Sequence, residues 1–208
     1  TFLDEISHDI PSQNWGRAEW QRDFRCMQAV GIDTVILIRC GHKRRMTYPS
    51  HVLANTMGCF TPPVDLVRMF LDLAEETGMT FYFGTYDSGR FWHEGRYREE
   101  ISISRDVVSE AWERYGSSPA FGGFYLSCEV SGAFHGIVDI YADLGRHCKA
   151  ISGGLPVVIS PYVAGRKAVS SIDAAVERAE AVTRGLKEIE KTALPAGEPL
   201  RQGGDGSG

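Results

Sequence analysis

Several apolar runs in this 208-residue chain end abruptly on side chains that can donate, accept or bind a proton. Phe124-Tyr-Leu-Ser-Cys-Glu129 runs onto a carboxylate and is followed by the loop Val130-Ser-Gly-Ala-Phe134. Phe2-Leu-Asp-Glu-Ile6 carries Asp4 and Glu5, Thr34-Val-Ile-Leu-Ile38 is followed by Arg39, and Met79 to Tyr86 is followed by Asp87. Carboxyl groups gathered at strand ends suit general acid–base chemistry. Cleavage of a glycosidic bond needs two of them, one to protonate the leaving oxygen and one to attack or to activate water.

Glu129 is the first candidate for the general acid. Desolvation by Phe124, Tyr125 and Phe134 would raise its pKa, as an acid working near neutral pH requires; a structural ion pair with an arginine is the alternative reading. Adjacent strand residues point to opposite faces, so only one of Asp4 and Glu5 can face inward. Glu5, nearer the strand's C-terminal end, is the better candidate for a second carboxylate or an acceptor of sugar hydroxyls. A Glu5–Arg39 pair would hold Glu5 ionised and make Arg39 part of the substrate-binding set. Asp87 is the other candidate base or ligand, although Asp87-Ser-Gly89 also reads as a plain turn. His8 and Asp9 follow the first strand as loop hydrogen-bonding groups.

Trp15, Tyr48, Tyr86, Phe91, Trp92 and Tyr162 are expected on the side of the strand ends. Aromatic faces stack on the C–H faces of sugar rings, and a tyrosine hydroxyl can also donate to substrate. The alternative is that these rings pack a lid. Trp20 and Trp112 fall on inner helix faces and read as core. His42-Lys-Arg-Arg45 reads as a solvated loop, with contact to an anionic substrate as the other reading. His8, Glu5, Asp87 and Glu129 have no local metal-ligand spacing, so no metal and no cofactor are expected.

The elements that must position these groups alternate between strand and helix. The pattern predicts strands at Phe2–Ile6, Thr34–Ile38, Met79–Tyr86, Phe121–Cys128 and Leu155–Ser160. It predicts helices from Arg17 to Val30, from Thr61-Pro-Pro-Val64 to Gly78, from a Ser104 cap to Gly116, from Phe134 to Ile151, and from Ser171 to Lys191. Residues 41–60 read as a long loop. Strands separated by helices imply a parallel α/β sheet, either open and doubly wound or a (β/α) TIM-barrel-like fold. No Gly-rich phosphate fingerprint follows the first strand. Long loops after the strands and short loops after the helices favour a barrel with one functional face. Five β/α units are recognisable where a full barrel has eight and about 250 residues, so the expectation is a partial barrel over 1–192 and a flexible Gly-rich tail over 193–208.

The composition is 43% hydrophobic and 24% charged, with a net charge of −5, which is ordinary for a globular domain. No concentrated basic face points to nucleic acid. No run reaches the roughly 18 apolar residues of a membrane helix. Cysteines 26, 40, 59, 128 and 148 lack CxxC or zinc-like spacing and read mostly as small core residues. No signal peptide is visible. A leader removed upstream of Thr1 would imply a secreted or periplasmic protein, and otherwise a cytoplasmic one. Open parallel sheet edges invite pairing, which predicts a homo-oligomer.

Over roughly residues 1–166 the chain resembles the DUF4434 family. The similarity rests on Thr1-Phe-Leu-Asp-Glu-Ile-Ser-His-Asp-Ile-Pro-Ser-Gln-Asn-Trp-Gly16 and Gly31-Ile-Asp-Thr-Val-Ile-Leu-Ile-Arg39. It continues through Tyr48-Pro-Ser50, Phe83-Gly84, Phe124–Glu129 and Val158-Ile-Ser-Pro-Tyr162. The resemblance implies a bacterial glycoside-hydrolase-like TIM barrel and a carbohydrate substrate. In many retaining barrels of that kind the acid/base glutamate ends strand 4, where Glu129 fits, and the nucleophile ends strand 7, for which no match is found. The chain departs from the pattern after about Arg166. Two other functions are compatible with the residues: a non-catalytic carbohydrate-binding or assembly protein, and a metal-dependent sugar isomerase or epimerase.

Overall fold

A computed structural model describes residues 1–6, 10–128 and 137–160. In chain order the strands are β1 (Phe2–Leu3), β2 (Thr34–Leu37), β3 (Gly41–His42), β4 (Arg45–Met46), β5 (Thr80–Gly84), β6 (Tyr86–Asp87), β7 (Phe121–Leu126) and β8 (Val157–Ile159). The α-helices are α1 (Arg17–Ala29), α2 (His51–Met57), α3 (Leu66–Thr77), α4 (Tyr97–Tyr115) and α5 (Ile137–Ser152), with a 3-10 turn at Pro11–Asn14. Five strands form one parallel sheet in the order β1-β2-β5-β7-β8, so each helical crossover joins sheet neighbours. This is the progression of a TIM-barrel-like α/β fold.

The sheet curls. Phe2 of β1 meets Tyr125 of β7 edge to face, with ring centroids 5.2 Å apart. Three strand spacings of about 4.8 Å would hold these strands roughly 14 Å apart in a flat sheet. The contact is therefore made across the concave face, which Phe2 shares with its register partners Ile36 and Tyr82. The alternate residues Val35, Leu37, Phe81 and Phe83 are completely buried in the same cluster as Trp20 and Phe24 of α1 and Phe70 of α3. Trp20 packs on Phe70 at 4.8 Å and Phe24 stacks on it at 6.1 Å.

Helix boundaries follow their caps. In α1 the Glu19 side chain accepts from the Gly16 N–H at 3.0 Å. In α2 the Ser50 hydroxyl accepts from the Leu53 N–H at 3.0 Å, and the helix ends at Gly58. The expected start of α3 at Thr61-Pro-Pro-Val64 is corrected to Leu66, because the Asp65 carboxylate accepts from the Arg68 N–H at 2.9 Å. The expected Ser104 cap is also corrected: Ser104 is buried inside α4, which starts two turns earlier with Glu99 and Glu100 in its first turn. There the acidic side chains complement the helix dipole. The expected loop 41–60 contains β3, β4 and α2. The expected helix from Ser171 to Lys191 and the tail 193–208 lie outside the described residues.

A candidate active site at the mouth of the sheet

The C-terminal ends of the parallel strands converge on one rim, where β/α barrels carry their chemistry. Beyond this rim the paths of β2 and β5 continue side by side as β3 and β6, pairing in parallel with Gly41 opposite Tyr86 and His42 opposite Asp87. The β3–β6 pair and the antiparallel β4 form a small second sheet. Gly84 makes the approach possible. A Cβ there would fall 2.0 Å from the Leu37 carbonyl oxygen and 2.8 Å from the Arg39 nitrogen. With no side chain in the way, the Cys40 N–H donates to the Gly84 carbonyl at 3.0 Å.

This local path brings Arg39 to Asp87. Arg39 Nη1 donates to Asp87 Oδ2 at 3.0 Å, and His42 Nδ1 lies 3.3 Å from the same oxygen. The Gly89 N–H donates to Oδ1 at 2.8 Å. Asp87 is thus a fully engaged acceptor. Burial holds the His42 pKa below its usual value, while the charge of Asp87 partly opposes that shift. Arg39 Nη1 also lies 3.3 Å from His42 Nδ1, so the ring's donor and acceptor roles follow its tautomer.

Glu5 is set apart from this network. It is 9% exposed, and its carboxyl pKa is pushed up to about 7, first by burial and then by the charge of Asp4. One oxygen, Oε2, is buried without a hydrogen bond. The expected pairing of Glu5 with Arg39 is not made; Arg39 is committed to Asp87 instead. Asp4 shapes the turn after β1, accepting from the Ile6 N–H at 3.2 Å through its side chain and from the Ser12 hydroxyl at 3.0 Å through its carbonyl.

A buried support lies behind Asp87. Glu100 of α4 accepts from the Ser88 N–H at 2.8 Å and from the Ser88 hydroxyl. The same hydroxyl oxygen accepts from the Phe91 N–H at 2.9 Å. Desolvation raises the Glu100 carboxyl to about 7, against the lowering effect of the Ser88 hydrogen bonds. Trp92 donates its indole N–H to the sulfur of Cys128, and the Tyr141 hydroxyl donates to the Cys128 carbonyl. At the end of β7, Ser127 exchanges two hydrogen bonds with Thr85, at 3.0 and 2.8 Å.

The structure brings Arg39 and Asp87 together and puts Glu5 on the same rim. Glu129, three residues beyond the end of β7, and Tyr162 lie outside the described residues, as do His8 and Asp9. Several aromatic candidates occupy packing positions. Tyr48 is fully buried against Phe83 and Tyr115, and its hydroxyl donates to Glu110 at 3.1 Å. Tyr86 is fully buried and donates to the Lys43 carbonyl at 2.6 Å. Trp92 is 7% exposed and packs on Tyr97. Trp15, half-buried, packs edge-on to Trp20 at 5.0 Å. These rings support the mouth; Tyr48 and Tyr86 have no open face for a sugar.

Sequence reasoning missed Ser88 and Glu100 as parts of the site, and placed His42 in a solvated basic loop with contact to an anionic substrate as the other reading. Glu100 lay before the expected Ser104 cap, outside any predicted element, whereas α4 begins at Tyr97. The Asp-Ser-Gly turn was the available signal for Ser88. Among the described residues no three His, Cys, Asp or Glu side chains converge as a metal would require. No described helix is long and apolar enough to cross a membrane.

Comparison with known proteins gives the wider context. The chain is similar to a Bacteroides thetaiotaomicron protein provisionally assigned as an alpha-L-fucosidase, with 48% identity and a TM-score of 0.83 over 91% of this chain and 60% of that one. It therefore spans 60% of the length of that relative. The fold is shared with the endo-1,4-beta-mannanase of Rhizomucor miehei, at 12% identity and TM-score 0.57, covering 79% of this chain and 58% of that one. It is also shared with a Streptomyces cattleya GH5_18 protein, at 15% identity and TM-score 0.53, covering 84% of this chain and 46% of that one. No curated protein matches. The profile of a domain of unknown function, DUF4434, matches residues 1–194, so the chain belongs to the DUF4434 family.

Proposed function

We propose that this protein is a glycoside hydrolase acting on a carbohydrate through two carboxyl groups, Glu129 and Glu5. Glu129 is the general acid. Glu5 is the second carboxylate, activating water. Asp87, held by Arg39, His42 and the Gly89 N–H, anchors the mouth. The observation that carries the reading is the Glu5 carboxyl: at a strand end, buried, with one oxygen lacking a hydrogen bond and with its pKa near 7. Buried polar groups without partners are rare and call for an explanation. A base with a pKa near the working pH is both sufficiently populated and sufficiently strong. Shared fold with glycosidases and family-level similarity to a fucosidase-like relative support the class of reaction. No cofactor is required for it.

The test is product release from a broad oligosaccharide panel by the wild type, Glu129→Gln and Glu5→Gln. The expected result is cleavage by the wild type and a loss of about 100-fold or more in each variant. The wild type should also show an acidic limb near pH 7 that Glu5→Gln removes from its residual activity. Cleavage that survives both substitutions would sink the assignment. Glycan binding without any cleavage by the wild type would make the protein a carbohydrate-binding module.

A further inference from the structure

We infer that the mouth includes a subsite for an anionic group carried on a sugar, formed by Lys43, His42 and Arg39. The inference rests on the mouth being a sugar site, as proposed above. It goes beyond that reading by naming the class of sugar.

Lys43 is held in an unusual way. It is the one non-glycine residue with a left-handed backbone among the described residues, at φ 54°. A lysine at such a position is less stable than a glycine would be. Its backbone is nevertheless pinned on both sides. The N–H donates to the Asp87 carbonyl at 3.0 Å, and the carbonyl accepts from the Tyr86 hydroxyl at 2.6 Å and the Cys59 thiol at 3.4 Å. The stem of Lys43 and the ring of His42 lie on Gly89, itself at φ 70°. A Cβ on Gly89 would come within 2.9 Å of Lys43 Cε and 3.1 Å of His42 Cε1. Gly89 thus makes room for both side chains.

The charges around this point do not cancel. Arg39 and Lys43 flank His42, and both lower its pKa. Asp87 is the carboxylate that meets this group, and its oxygens are already taken by Arg39, His42 and Gly89. Lys43 is exposed and forms no ion pair with a carboxylate of the described residues. Arg44, the next residue, turns away to cover the ring of Phe60 at 4.5 Å. A spare ammonium and a neighbouring imidazole, beside an arginine on the rim, suit a monoanion. On a sugar that group is the carboxylate of a uronic acid or a sulfate ester.

The test is a binding titration at low ionic strength with D-glucuronate, D-galacturonate and glucose 6-sulfate, against D-glucose and D-galactose. The variants are Lys43→Gly and Lys43→Arg. Lys43→Gly relieves the left-handed backbone, so its Tm should hold or rise, while the ammonium is lost. The expected result is tighter binding of an anionic sugar than of its neutral counterpart. That preference should fall about tenfold in Lys43→Gly and be kept in Lys43→Arg. Uronates and the sulfate compete as sources of the anion, and the tighter one identifies it. Equal binding of acidic and neutral sugars, an unchanged preference in Lys43→Gly, or no binding of any anionic sugar overturns the inference. Cleavage separates the two proposals. Neutral glycans hydrolysed with no anionic preference leave the hydrolase reading standing alone. Lys43-dependent binding with no hydrolysis of acidic or neutral glycans leaves the subsite standing alone.

Discussion

Glu100 of α4 takes both donors of Ser88, the residue after β6: the backbone N–H at 2.8 Å and the hydroxyl. Ser88 directly follows Asp87, so this contact from α4 fixes the segment that presents Asp87 to Arg39. Glu100→Ala leaves two buried donors unpaired and should cost about 2–4 kcal/mol; Ser88→Ala should cost about 1–2 kcal/mol. Urea denaturation checks both. A Glu100→Ala variant as stable as the wild type would show that the contact contributes nothing.

Stability should fall as the pH rises toward neutrality. Glu5 and Glu100 hold their protons to about pH 7 in the folded chain, above the ordinary 4.5, chiefly through burial. Between these values the native state binds more protons than the unfolded one, so unfolding becomes easier with rising pH. The contribution is complete below about pH 4.5 and is lost through about pH 7. Each group accounts for on the order of 2–3 kcal/mol. Melts from pH 5 to 8 on wild type, Glu5→Gln and Glu100→Gln should show the slope flattening in each variant. An identical slope in all three would contradict the assignment of either carboxyl.

Gly84 and Gly78 should answer an added methyl group differently. At Gly84 the Cβ meets backbone atoms at 2.0 Å, and neither strand can move aside without breaking the sheet. Gly84→Ala should cost more than about 3 kcal/mol or prevent folding. At Gly78, the end of α3, nothing lies within 4 Å and only the left-handed φ of 68° is strained. Gly78→Ala should cost about 1 kcal/mol. Circular dichroism melts of the pair would test the ranking, and equal costs would contradict the close approach of β2.

Tyr48 offers a test of packing against binding. Its ring is enclosed and its hydroxyl donates to Glu110. Tyr48→Phe should lower stability by about 1 kcal/mol and leave glycan affinity unchanged. A loss of glycan affinity without loss of stability would restore Tyr48 as a sugar contact.

Much of this architecture was legible without coordinates. Thr34–Ile38 is read as a strand because its β-branched run suits burial on both faces; the observed β2 is Thr34–Leu37. Trp20 is read as core because it falls on the inner face of a helix, and it is buried against Phe70. Glycine marked the ends of α2 and α3 through its left-handed freedom, although only the second was read in advance. Asp65 and Glu100 were less legible, because capping and clamping depend on which donors arrive beside them.

The sequence by itself determined the alternation of strands and helices, the family, and the position of Glu5, Arg39 and Asp87 each near the end of an apolar run. These follow from periodicity and local backbone preference, which act over a few residues. Only the tertiary structure decided the partners. Arg39 pairs with a residue 48 positions away and not with Glu5. Tyr48 and Tyr86 turn into the core, and Glu100 is drawn under the rim. Local spacing specifies which face of an element a side chain occupies. The strand order and the bare backbone at Gly84 decide what that face meets.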